Sequence, residues 1–82
     1  MTVKARTGRR RYVHFRSISP TEMKRLSSLG EVRPIVYRDI TAIRVPHYSL
    51  PFFRRKTEEM GLQIDMVSGT LRSLRRKVSK VH

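Results

Sequence analysis

The stretch VRPIVYRDITAIRV, residues 32–45, decides the architecture. Val32 to Arg38 reads as one strand, and Pro34, which has no amide donor, confines it to a sheet edge or to one end. Asp39 reverses the chain, though without the glycine of a strong hairpin turn. Ile40 to Val45 forms the next strand, with Ile43 and Val45 inward, Ala42 and Arg44 outward, and Pro46 closing it.

The same grammar continues on both sides of this hairpin. Upstream, Tyr12 to Ile18 alternates, with Val13 and Phe15 pointing one way and Tyr12, His14 and Arg16 the other. Ser19-Pro20-Thr21-Glu22 is a capping box with proline at the first helical position. Met23, Leu26 and Leu29 follow at helical spacing, and Gly30 supplies the stop. Downstream, Ser49 can cap a helix running to Met60, with Leu50, Phe53 and Met60 near one stripe and Gly61 at its end. Leu62, Ile64 and Met66 alternate with Gln63 and Asp65 as a fourth strand. Leu71, Leu74, Val78 and Val81 then recur at i, i+3, i+7 and i+10. Arg72, Arg75, Arg76 and Lys77 surround that stripe, which makes a basic amphipathic helix.

The order β-α-β-β-α-β followed by a helix predicts an α+β domain of the ferredoxin-like plan, an antiparallel four-stranded sheet with two helices on one face. The expected divisions are a basic arm over 1–11 (its first nine residues mobile), a core over 12–67 and a basic helix over 68–82. In this plan the first and third strands are central. Tyr12, His14, Arg16 and Arg44 are then expected together on the face that the two helices leave open. Small domains hold single-stranded RNA on such a face by stacking and phosphate contact. The third strand nevertheless lacks the Gly-aromatic-Gly-Phe run of the RNA recognition motif.

Charge supplies the second line of argument. The 82 residues allow one small domain. They hold 19 Lys and Arg against 6 Asp and Glu, a net charge of +13. Residues 1–11 and 68–82 each carry five bases and no acid, whereas the body between them has nine bases and six acids. Crowded positive ends disfavour the compact free state, and a polyanion relieves the repulsion. Fourteen of the bases are arginine, whose planar fork suits phosphate and stacks on bases. Nucleic acid is therefore the leading partner. A membrane partner is not expected, because the stripe of the last helix is aliphatic and lacks the Trp or Phe of interfacial anchors. No apolar run approaches the length of a membrane span, and no secretory h-region follows the first charges. The expected location is the cytoplasm.

Catalysis by the protein finds little support in this inventory. Without cysteine there is no thiol nucleophile, zinc finger or disulfide framework. Glu58 and Glu59 are adjacent on a helix and diverge by about 100°, so they form no close carboxylate pair. His14, His47 and His82 lie far apart, without metal-ligand spacing. Acylphosphatase chemistry, which runs on the same fold plan, needs an asparagine to orient water, and the chain has none. Phosphate contact is expected instead from Arg9, Arg10, Arg11, Arg16, Arg44, Arg72, Arg75, Arg76 and Lys77, with Tyr12 and His14 stacking or packing. The Ser68-Gly69-Thr70 turn can receive a phosphate on its backbone N–H groups. It can equally cap the last helix through Thr70 or Ser68, and the two roles are compatible. Arg54-Arg55-Lys56 offers a further phosphate patch. Of the adjacent Phe52 and Phe53, only one fits fully into the core, which makes Phe52 the candidate for a protein–protein contact.

Ala42 to Lys77 resembles the ribonuclease P protein component 2 family of archaea and eukaryotes. The shared pattern is an Ile43-Arg44-Val45 strand, a helix, an apolar strand, then Val67-Ser68-Gly69-Thr70-Leu71 leading into Arg72-Ser73-Leu74-Arg75-Arg76-Lys77. Arg10-Arg11-Tyr12-Val13-His14-Phe15 is similar to the family's first strand. The family usually carries a longer helical insert where this chain has only Ser19 to Glu31, so the resemblance is to a shortened member. It implies a non-catalytic subunit of ribonuclease P, which removes the 5′ leader of precursor tRNA. The implied partners are the ribonuclease P RNA, precursor tRNA in the same particle and a TIM-barrel-like protein subunit. The chemistry belongs to the RNA with its Mg²⁺, and no cofactor is expected on the protein. A small ribosomal protein on rRNA is the alternative from size and charge. A protein–protein adaptor with incidental bases is a reading of another class, and an architectural DNA-binding protein lacks any supporting motif.

Overall fold

The computed structural model describes residues 9–81, with side chains through Lys80. In chain order the elements are β1 (Arg10–Phe15), α1 (Pro20–Ser27), β2 (Arg33–Tyr37) and β3 (Ile40–Pro46). A 3₁₀ turn (His47–Ser49) leads into α2 (Leu50–Glu59), then β4 (Ile64–Ser68) and α3 (Leu71–Val81). The strands form one sheet in the order β2-β3-β1-β4, and every neighbouring pair is antiparallel. Strands β1 and β3 are thus central. The α+β class and the four-stranded antiparallel sheet agree with the sequence expectation and are consistent with a ferredoxin-like plan. Among the described residues no helix is long and apolar enough to cross a membrane.

Local signals explain most boundaries. Ser19 accepts a hydrogen bond from the Glu22 amide at 3.1 Å, and the Glu22 carboxylate accepts one from the Ser19 amide at 3.0 Å. Two of the otherwise unpaired amides at the start of α1 are thereby satisfied. Helix α2 ends where Gly61 takes φ +76°, a conformation that costs any L-residue with a Cβ. The Gly61 amide donates to Glu58 and the Leu62 amide to Thr57, the two bonds of a Schellman termination. Entry to α2 differs from the expectation. Ser49 makes no side-chain cap; the chain instead winds through the 3₁₀ turn, with Pro51 in the first helical turn. The first division also moves, since Arg10 and Arg11 already lie in β1, where Arg11 pairs with Val45. Residues 1–8 of the expected arm, with Lys4 and Arg6, lie outside the described residues, as do His82 and the Val81 side chain.

Two apolar layers hold the sheet. On one face Val13, Phe15, Ile43 and Val45 meet Leu26 of α1 and Phe53 of α2, with the Phe15 and Phe53 ring centres 6.3 Å apart. The opposite face was expected to be open, and it is not. Helix α3 lies across it, burying Leu74 and Val78 against Ile40 and Ala42, with Tyr12, Tyr37, Met66 and Leu71 around them. The reason is hydrophobic. An aliphatic stripe and an apolar strand face each lose contact with water only by meeting, and full burial of a leucine side chain is worth about 1.5–3 kcal/mol. Ala42 keeps the strand low beneath the helix. The basic helix is therefore half of a second core rather than an appendage.

Two outcomes follow from this packing. Leu74→Ala is expected to cost about 2–5 kcal/mol in urea unfolding, the range for truncating a fully buried leucine; an appended tail would change stability by less than about 0.5 kcal/mol. Gly61→Ala is expected to cost about 1 kcal/mol in the same assay, since alanine must adopt the left-handed conformation there.

Candidate nucleic-acid interface

Docking α3 on the sheet re-sorts the expected contact residues. Tyr12 is half-buried, packed against the cluster beneath the helix, and lines neither basic hollow. His14 is turned onto Asp65, with Nδ1 3.0 Å from the carboxylate and side chains only 13% and 11% exposed. It ties β1 to β4 at a bulge, where the register slips between His14 and Phe15. Neither ring is a platform for a nucleobase, which corrects the expected open sheet face. Arg16 stays on the surface, 3.9 Å from the same carboxylate.

The outward side of α3 and the β2–β3 turn enclose a basic groove of about 540 Å³, lined by Tyr37, Arg38, Arg72, Arg75, Arg76, Ser79 and Lys80. Arg75 Nε donates to Asp39 at 2.8 Å. That hydrogen bond, aided by the charges of Arg75 and Arg38, holds the exposed Asp39 carboxyl below its ordinary pKa. The pair therefore persists as pH falls through the usual carboxylate range and is lost on falling through the depressed value. The Arg38 guanidinium stands 5.7 Å from the centre of the Tyr37 ring. Lys77 departs from this set, with its ammonium 3.4 Å from the Val67 carbonyl of β4.

A second basic hollow, of about 370 Å³, lies on the part of the sheet that α3 leaves uncovered, lined by Arg10, Gly30, Glu31, Arg33, Arg44, Pro46 and Tyr48. Arg33 and Arg44 are cross-strand partners and Arg10 sits opposite Pro46. Like charges placed directly opposite are destabilising in a sheet, and an anion seated between them removes the penalty. The carboxylate in this hollow has its own partner there: Glu31 accepts a hydrogen bond from the Tyr48 hydroxyl, which raises the Tyr48 pKa.

The Ser68-Gly69-Thr70 turn divides its roles. Thr70 caps α3, its hydroxyl accepting from the Ser73 amide at 3.1 Å. Ser68 is buried opposite Tyr12 at the end of β4, so it is out of reach of a phosphate. Gly69 is exposed beside Arg11, whose guanidinium nitrogen would lie 3.4 Å from a Cβ at that position. Arg11 Nε in turn donates to His47 at 3.3 Å, and the Arg9 carbonyl accepts from the His47 amide at 3.1 Å. One end of β1 and the start of α3 are thereby neighbours.

The remaining candidates occupy the other layer. Phe52 is half-exposed on α2 and, with Tyr48, borders a hollow reaching down to Phe53. Arg54, Arg55 and Lys56 share that helix, across the sheet from α3, and Lys56 is spent partly on Glu59 at 3.5 Å. Sequence reasoning missed Arg33, Tyr37, Arg38 and Lys80. For Tyr37, Arg38 and Lys80 the signal was indirect: Ile40 and Ala42 on the outward side of β3 require a cover, and the helix supplying it carries its bases to the edge of β2; Arg33 joins Arg44 through the β2–β3 register. Among the described residues no three His, Asp or Glu side chains gather as a metal site.

His14→Ala is expected to lower stability by about 1 kcal/mol through its lost bond to Asp65. RNA affinity should stay within twofold, read by thermal unfolding and filter binding. A stacking platform would give the reverse pattern. No protein-family model, no curated protein and no solved structure matches this chain.

Proposed function

We propose that the chain is an RNA-binding protein subunit of ribonuclease P, supporting RNA-catalysed removal of the 5′ leader of precursor tRNA. The observation that carries RNA binding is the pair of arginine-rich hollows, one along α3 and one on the uncovered part of the sheet. Their bases outnumber the acids beside them, and a phosphate backbone is the ligand that such a surface attracts. The particular particle rests on the resemblance of Ala42 to Lys77 to ribonuclease P protein component 2. In this reading the RNA holds the Mg²⁺ and performs the hydrolysis, and the protein neutralises and braces it in the cytoplasm. Phe52 and Tyr48, exposed on the layer away from α3, supply the contact for a TIM-barrel-like protein subunit.

Reconstitution of tRNA 5′ processing, together with crosslinking of the chain to RNA in native extract, tests the assignment. Capture of ribonuclease P RNA supports it. Capture of ribosomal RNA alone moves the protein to the ribosome. With about six phosphates engaged, log K should fall with log salt at a slope of about −4 to −5 in filter binding. A flat response removes the phosphate argument.

A further inference from the structure

We infer that the groove between the β2–β3 turn and α3 takes one unpaired nucleotide of the RNA, its base on Tyr37 and its flanking phosphates on Arg38, Arg72 and Arg76. The inference rests on the RNA-binding reading and adds the form of RNA that this groove selects.

The ring comes first. Tyr37 is half-buried, with part of the side chain packed on the core under α3 and the rest lining the groove. A duplex keeps its base faces stacked internally and has no use for an aromatic wall. An unpaired base has an exposed π-face, and stacking on a tyrosine satisfies it. The groove volume of about 540 Å³ falls in the range of sites that enclose a small molecule. The Arg38 guanidinium lies over that ring, 5.7 Å from its centre, in a cation–π contact of the weak kind found at exposed sites. A base sliding over the ring displaces it towards the phosphate.

The rim comes next. Of the five bases lining the groove, only Arg75 has a carboxylate partner among the described residues. Asp39 holds that guanidinium as a phosphate oxygen would. Arg38, Arg72, Arg76 and Lys80 gather at one place, and the single carboxylate of Asp39 beside them, already paired with Arg75, leaves positive charge in excess, the state of a surface built for a polyanion.

The backbone supplies an independent observation. Arg38 has φ +54°, and among the described residues it is the one non-glycine with a positive φ. It occupies the first position of a two-residue hairpin loop, because Tyr37 and Ile40 are paired. Glycine, asparagine or aspartate is favoured in that conformation, and an arginine there is strained. Strain of this kind persists at binding sites, where the side chain is worth more than the conformation costs.

The test uses the full chain and two RNA hairpins, one fully paired and one carrying a bulged 2-aminopurine. The chain should bind the bulged hairpin about tenfold more tightly and quench its fluorescence, the size expected from one stacked base. Tyr37→Leu should remove both the preference and the quenching, and Tyr37→Phe should restore them. Arg38→Gly should raise the melting temperature or leave it unchanged while lowering affinity for the bulged hairpin several-fold. That combination separates a binding role from a structural one. Equal affinity for the two hairpins, or an Arg38→Gly protein that loses stability and keeps its affinity, overturns the inference and leaves RNA binding intact. Binding to neither hairpin at low salt removes the RNA-binding reading as well.

Discussion

The contact of Leu74 and Val78 with Ile40 and Ala42 governs the rest of the molecule. It turns a one-sided sheet into a three-layer sandwich. A domain this small buries a modest share of its surface, and one helix face packed on bare sheet is a large part of what is available. The same contact fixes where the charge goes. Once the aliphatic stripe faces the strands, Arg72, Arg76 and Lys80 have only the outside of the helix to occupy, and the β2–β3 turn comes within reach of them. Hydrophobic burial here sets the electrostatic surface.

This arrangement separates the chain from domains that read RNA on an exposed sheet. Their bases stack on aromatic residues of the two central strands. Here the central Tyr12 is under a helix and His14 is committed to Asp65, whereas Tyr37 on the edge strand β2 borders the basic groove.

Much of the fold was legible in the residues because its signals were local. The capping box at Ser19 and Glu22, the stop at Gly61, the alternation around Val13 and Phe15, and the inward Phe53 each depend on a few neighbours. The site was less so, since it depends on where α3 docks. An amphipathic helix announces that it needs a surface but not which one. Ile40 and Ala42, apolar on the supposedly wet side of β3, held the answer, because a strand that is apolar on both faces is covered on both. Arg38 escaped notice for a different reason: nothing in its identity marks a left-handed turn, which glycine or asparagine would have done. Ser49 shows the converse, a residue suited to capping that the preceding 3₁₀ turn leaves without the task.

The rims of the sheet carry a last consequence. The outermost strands are β2 and β4. Pro34 interrupts the donors along β2, and β4 is distorted where the register slips opposite His14 and Phe15, with the carboxylate of Asp65 at that point. Both devices discourage strand-to-strand polymerisation, the hazard that accompanies any open sheet. The sheet is thereby guarded against fibril growth by two of the chain's least conspicuous residues, Pro34 and Asp65.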